Sequence, residues 1–545
     1  MACIMSATFV ATSMVAVGCK QPTPPDNQDF DESVDTSKTQ LYVGNFNGGL
    51  GFEWIMKAKA RFEAENPNVQ IMIDNGKDEY APSSLMANIK TNRQDLYVVD
   101  GSDYYTYVQN GMLMDITDVV TEGGATSIES RMNETLRNWF KTPDNKYYAV
   151  PFYQSFYHLI YDVDLFDTYN LWLNEAGTDF VTSKTDKRYP GPAGGGTGDD
   201  GLPYTYSQFF MLLEKMVSYG ITPITATGEY KDTYFPYFID SVFADYAGAE
   251  FVNNMKLEGE VTVLKNDTFT EPATGTFTLN GLTEKKTLTN DNKSEHEEIV
   301  ASQAGKYFAV KFAKDIMSQN YKYVKQDKIN SPSESHTMAQ ATFLDGTYIK
   351  KPVGMLIDGG WWYNEAKVYM EEMVKDSQDE KWHWSKRRFG VMPFPKDDTN
   401  PSAGRTVSSM TGSAIFISNY TTKADLAKKF FKFIHTEESL QEFTATTLVN
   451  RPYNYEMDAE YLSATPYYTQ NMNAALKDIT VVAKVAQKPE LIYRNGYLTG
   501  AMWTSTVGND QYSNPLTNFF EYTSLTALDY FKGLKTYAQT RNYWG

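Results

Sequence analysis

Apolar and polar residues follow two alternating periods between Leu41 and Val99. Leu41 to Asn45 reads as a short strand, and Phe46-Asn47-Gly48-Gly49-Leu50-Gly51 as the loop after it. Phe52, Ile55, Ala58 and Phe62 then recur at helical spacing, predicting a helix from about Phe52 to Glu65 that Asn66-Pro67-Asn68 stops. Val69, Ile71 and Ile73 alternate as on a half-buried strand, and Asp95 to Val99 makes a third, ending at Asp100-Gly101-Ser102-Asp103. Strands alternating with helices predict α/β lobes with mainly parallel sheets. Ligands bind such sheets where strands end, which points to Asn47, Gly48, Asp100, Ser102 and Asp103. The same residue types also serve as plain turn chemistry.

The N-terminus breaks this pattern. Residues 4 to 17 are uncharged and apolar, too short to span a bilayer comfortably. They end in Ala16-Val17-Gly18-Cys19, which resembles a bacterial lipobox, where a signal peptide (1–18) is removed and the cysteine receives lipid. Two features depart from that motif: no Lys or Arg precedes the apolar stretch, and Ala rather than Leu stands three before the cysteine. From Cys19 to about Gln40 the chain is rich in Pro, Asp and Ser, a composition that cannot pack a core and reads as a disordered tether. The two cysteines, Cys3 and Cys19, leave none for a disulfide or metal site in the body. No later run reads as a membrane span, so the expectation is a body held at the extracellular face of the bacterial membrane by its lipid alone.

At 545 residues the chain exceeds what one hydrophobic core supports, so two or more lobes are expected. A net charge of −18 repels phosphate backbones and argues against nucleic-acid binding. Aromatics reach 14%, with 39 Tyr, which serves either a large aromatic core or flat binding surfaces.

Motifs for catalysis and cofactors are missing or out of context. Gly196-Thr197-Gly198-Asp199-Asp200-Gly201 matches a dinucleotide fingerprint by letter, but Lys187-Arg188-Tyr189-Pro190-Gly191-Pro192 before it is loop, and two aspartates would face the phosphate. It reads as a surface loop, with a weak calcium site at Asp199 and Asp200 as the alternative. There is no phosphate-binding G-K-[ST], no G-x-S-x-G and no H-E-x-x-H, since His296-Glu297-Glu298 lacks the second histidine. A carboxylate pair among 68 acids stays open, because spacing in sequence says little about spacing in space. Neither cofactor nor metal is expected.

A run of segments in order resembles the extracellular solute-binding proteins of ABC importers, of the carbohydrate type related to maltose-binding protein. Arg61-Phe62-Glu63 ends the opening unit. Lys146 to Phe152 followed by Leu159 to Phe166 resembles a first crossover, and Tyr204 to Phe210 a helix start, with Thr205 and Gln208 as a capping box. Ala341 to Gly346 and Gly354 to Trp362 resemble the strand before a ligand-stacking tryptophan, Phe389 to Pro395 the second crossover, and Lys423 to Ile434 the long helix after it. The resemblance implies a two-lobed clamp of the periplasmic-binding-protein type (type II). It places 41–150 and 393–434 in lobe one, and 152–391 and 436–545 in lobe two. The stretch of about 252–298, polar and Thr- and Lys-rich, reads as an inserted β-hairpin or long loop.

It further implies a monomer that captures an oligosaccharide by lobe closure and delivers it to the transmembrane subunits of an ABC permease, without catalysis. Sugar C–H faces pack on aromatic rings while hydroxyls need amides and carboxylates. Lobe one would offer Asn47, Glu53, Asp100, Ser102 and Asp103. Tyr153 and Ser155 would stand at the crossover, with Phe235 and Trp503 as further candidates. Of Trp361 and Trp362, adjacent residues on a strand end face opposite ways, and Trp361 is favoured for the cleft. The rival readings are a secreted glycan-active enzyme and the same clamp binding a non-sugar solute such as a peptide.

Overall fold

The computed structural model describes residues 33–192, 195, 199–317, 322–348, 351–400, 404–409, 412–477, 479–486, 503–512 and 525–540. The predicted signal peptide, Cys19, the tether as far as residue 32 and Gly196-Thr197-Gly198 of the fingerprint-like loop lie outside the described residues.

Two sheets organise the chain. In the first, Val69–Gly76, Thr39–Phe46 and Leu96–Val99 run parallel, and Ala414–Ile417 joins antiparallel between Leu96–Val99 and Val150–Pro151. In the second, Tyr157–Asp162 lies antiparallel between Phe389–Met392 and Val353–Gly359, whose far edge carries Thr222–Thr225 in parallel. Both sheets are therefore more mixed than the sequence pattern predicts. The chain re-enters the first sheet at Ala414 after its stay in the second, and this returning strand runs against Leu96–Val99, while in the second sheet Tyr157–Asp162 runs against both of its neighbours. Hydrophobic alternation fixes which residues face the core but carries no strand direction. The opening strand also starts earlier than Leu41: Thr39 pairs with Val69 and Gln40 with Gln70, so the end of the predicted tether belongs to the sheet.

Each sheet has its own core. The first is built from Leu41, Val43, Ile71 and Val98, covered by Ile55, Ala58 and Phe62 of helix Glu53–Glu65 and by Phe430 and Phe431 of helix Ala424–Phe433. The Phe62 ring meets Phe430 edge-on at 5.1 Å, and burying one such side chain stabilises the fold by about 1.5–3 kcal/mol. Helix Glu437–Thr447 adds Leu440 and Phe443 to the same core.

The second core gathers Tyr157, Leu159 and Ile357 with helices Tyr206–Ser218, Lys231–Ala247 and Ala304–Met317. Thr205 caps Tyr206–Ser218 and Gln208 returns the bond, closing the capping box. On the other face of that sheet a third cluster packs Phe343, Trp362, Tyr363, Phe389 and Tyr468. Within the polar stretch 252–298, Gly259–Leu264 pairs antiparallel with Thr283–Leu288 as a two-stranded ribbon. Among the described residues no helix is long and apolar enough to cross a membrane.

Candidate ligand-binding cleft

The chain passes from the first sheet to the second between Pro151 and Tyr157 and returns between Met392 and Ala414. Beside these crossings the loops at the strand ends of the first lobe face the second, enclosing a cavity of about 270 Å³. Phe46, Gly48, Gly49, Leu50, Lys77, Asp100, Phe152 and Tyr153 line it from one side; Tyr157, Tyr230, Thr233, Tyr234, His336, Trp361 and Glu365 line it from the other.

Aromatic rings form a continuous wall on the second-lobe side. Trp361 meets Tyr234 at 6.0 Å, Tyr157 stacks on Tyr237 at 5.4 Å with planes 8° apart, and Tyr230 stacks on Tyr234 at 6.0 Å. Tyr230, just before helix Lys231–Ala247, and Tyr234 and Tyr237 within it have the spacing of one helical face. The lobes touch here: the Asn364 side-chain amide donates to the Gly49 carbonyl at 2.9 Å. The approach needs glycine, since a Cβ on Gly49 would lie 2.5 Å from Glu365 Oε1 and 2.9 Å from Trp361 Cδ1.

Acids supply the polar side. Asp100 stands just after strand Leu96–Val99 and accepts from the Tyr153 hydroxyl; burial pushes its carboxyl up to about 6, which this hydrogen bond and Lys77 oppose. Glu365, one turn into helix Trp362–Ser377, is pushed up to about 8 by burial and then by the nearby Asp358. Asp358, near the end of strand Val353–Gly359, is raised to about 7 by burial. Gln340 Nε2 donates to both, at 3.0 Å to Asp358 and 2.8 Å to Glu365. Burial holds His336 down at about 4. Among the described residues no cluster of His, Cys, Asp and Glu is arranged to hold a metal ion.

Of the residues the sequence singles out, Gly48, Asp100, Tyr153 and Trp361 line the cavity. The others are placed elsewhere. Trp362 is fully buried in the third cluster; the strand has ended at Gly359 and a helix begins at Trp362, so strand alternation does not govern the pair. Phe235 faces the second core, while Tyr234 beside it faces the cleft. Trp503 is buried against Phe243 and donates to Asp240 at 2.7 Å. Ser155 is buried and accepts from the Gly360 N–H at 3.2 Å, tying the first crossing to the end of Val353–Gly359.

Ser102 donates to the Gly412 carbonyl at 2.9 Å, and Asp103 precedes helix Tyr104–Gln109 and accepts from Thr106. Glu53 pairs with Lys57 on an exposed helix face, and the Asn47 N–H donates to Gly76. Tyr157, Tyr230, His336, Lys77 and Glu365 were not foreseen. The helical spacing of the three tyrosines could have flagged Tyr230, and the turn from Trp361 to Glu365 could have flagged the acid.

Two lobes joined by crossing strands, with the site between them, define a solute-binding clamp of the type II periplasmic class. Residues 50–441 match the family described as bacterial extracellular solute-binding protein, and the chain belongs to that family. Solved structures share the fold. A chitin oligosaccharide binding protein aligns at TM-score 0.54 and 16% identity over 93% of this chain and 99% of its own. Maltose-bound MalE3 of T. maritima aligns at 0.52 and 14% over 92% and 99%, and RafE with raffinose at 0.52 and 12% over 92% and 99%. Comparison with curated proteins gives no match.

Proposed function

We propose that this protein is a lipid-anchored receptor that captures a carbohydrate, an oligosaccharide by the reach of its aromatic wall, and hands it to an ABC permease. The observation that carries the reading is the placement of Tyr157, Tyr234 and Trp361 along one wall of an interlobe cavity whose other groups include carboxylates. Rings offer flat apolar faces to pyranose C–H groups, and carboxylates accept from hydroxyls. Structural relatives named for chitin oligosaccharide, maltose and raffinose agree with it.

Ligand docks on one lobe, and the second lobe adds contacts that only the closed form makes. Closure is favoured by that difference in binding free energy alone. The lipobox-like Cys19 would hold the receptor beside its permease and raise its effective concentration there. The permease would read the closed arrangement of both lobes.

Thermal shift and tryptophan fluorescence across an oligosaccharide panel test the reading. A ligand that binds only the folded state raises its stability, by about 2.7 kcal/mol at a hundredfold excess over Kd. A shift with a glycan and no new product over time is the expected result. A shift with peptides alone would overturn the substrate class, and product in the mixture would make the protein an enzyme.

A further inference from the structure

We propose that the solute accepted by this cleft carries a positively charged nitrogen, as an amino sugar with a free amine does; the inference rests on the carbohydrate reading above and narrows it. Three carboxylates converge on the cleft region. Asp100 comes from the first lobe, Glu365 from the second, and Asp358 lies behind Glu365, joined to it through Gln340. Their partners bring hydrogen bonds but little charge. Gln340 is a neutral amide shared between two acids, and Asp100 is met by a neutral tyrosine hydroxyl.

The remaining Glu365 oxygen, Oε1, faces His336 Nε2 at 3.6 Å, beyond hydrogen-bond reach. Burial keeps that imidazole uncharged. Among the described residues lining the cavity, Lys77 is the only lysine or arginine, set against this group of acids, and it is exposed.

Closure places these acids between aromatic walls with little water to screen them. With a neutral pyranose, Glu365 and Asp358 keep the protons that burial favours and exchange only neutral hydrogen bonds, whereas a cation between the lobes draws Glu365 and Asp100 into their ionised forms, which are costly when buried without one. An ammonium on the sugar supplies both donors and the opposite charge, in charge-assisted bonds about twice as strong as neutral ones. The first-lobe Asp100 and second-lobe Glu365 would then grip one cation from both sides, a contact made only in the closed form.

Calorimetric titration of the protein near pH 6, where such amines are protonated, decides between the chemistries. The probes are the β-1,4-linked glucosamine tetramer, its N-acetylated counterpart and cellotetraose, which differ in the group at carbon 2. Matched galactosamine and galactose oligomers, and spermidine, complete the set. The expected result is binding of an amine-bearing glycan at least about tenfold tighter than its hydroxyl counterpart. That preference should fall toward unity in Glu365→Gln, with Asp100→Asn as the second variant and circular dichroism confirming both folds. Equal or tighter binding of the neutral glycan, no binding by any cationic glycan, or an unchanged preference in both variants overturns the proposal. Binding of neutral glycans alone would leave the carbohydrate reading standing. Binding of spermidine with no glycan would keep the cation and overturn the sugar.

Discussion

The indole of Trp361 meets the phenol ring of Tyr157 edge-on, with centroids 5.4 Å apart and planes at 90°. Trp361 packs at the margin of both the first and the second core, so its ring bridges the lobes. Trp362, about 100° further round the helix start, points into the third cluster and is fully buried. The two should respond differently to truncation. Trp361→Ala removes the wall of the cleft and is expected to weaken ligand binding by about tenfold or more, with a small change in melting temperature. Trp362→Ala empties core volume and is expected to cost about 3–5 kcal/mol of stability. Isothermal titration with differential scanning calorimetry separates them; unchanged affinity in Trp361→Ala would remove the platform from the site.

Closure has its own reporter in Gly49. Its carbonyl accepts from Asn364, and its missing side chain leaves room for Glu365 and Trp361. Gly49→Ala forces the Glu365 carboxylate away from a position that Gln340 holds, so the open arrangement is favoured. Weaker binding is expected, with a larger radius of gyration at saturating ligand by small-angle X-ray scattering. Asn364→Ala loses one hydrogen bond of about 1 kcal/mol, or roughly fivefold in affinity. A Gly49→Ala variant as compact and as tight as the native protein would show that this contact does not gate closure.

Local rules made part of this architecture readable. The i, i+3, i+7 face of Ile55, Ala58 and Phe62 is the buried face of its helix, and the cap at Thr205 forms as its spacing requires. Asp100 was legible because an acid directly after an apolar strand stands at the mouth of a sheet. Ser102 and Asp103 share that position in sequence but are spent on a loop carbonyl and a helix start. Nothing at Trp361 announces a helix, since that residue precedes it without a side-chain cap, so the pair read as strand. Glu365 was one acid among many. Its place in the cleft depends on Gly49, 315 residues away from the neighbouring Asn364, and no periodicity carries such a contact.

Arg451 ties the first crossing in place. Its buried guanidinium donates to the carbonyls of Phe152 at 2.7 Å and Ile434 at 3.0 Å, and to Nε2 of His435 at 2.8 Å. His435 accepts as a neutral ring, since burial and then the Arg451 charge hold its pKa well below the usual value. Arg451→Ala strands these acceptors without donors, each costing about 1–3 kcal/mol. The first-lobe unfolding transition should move to lower temperature in calorimetry. Arg451→Lys keeps the charge but not the planar fork, and should recover only part of the loss. Full recovery by lysine would mean that charge alone holds the crossing.

Glu365 should also set a pH dependence that its own variant exposes. Its folded pKa of about 8 lies above the ordinary 4.5, chiefly because burial disfavours the carboxylate. Between those values the folded protein holds a proton that the unfolded chain has released. The protonated form therefore contributes stability that is fully present below about pH 4.5 and is lost as pH rises through about 8. Other buried groups titrate in the same range with the opposite sign: His158 and His336 are lowered to about 4, and Lys306 to about 7. The native melting curve alone mixes these contributions. Subtracting it from that of Glu365→Gln cancels the distant His158 and Lys306, because glutamine keeps the shape and cannot ionise, and leaves Glu365 together with what its charge does to the adjoining Asp358 and His336. The variant's melting temperature relative to native should climb from about pH 5 to about pH 8 and level off above, in ligand-free protein. A difference that stays flat across that range would place the Glu365 carboxylate in water rather than in the closed cleft.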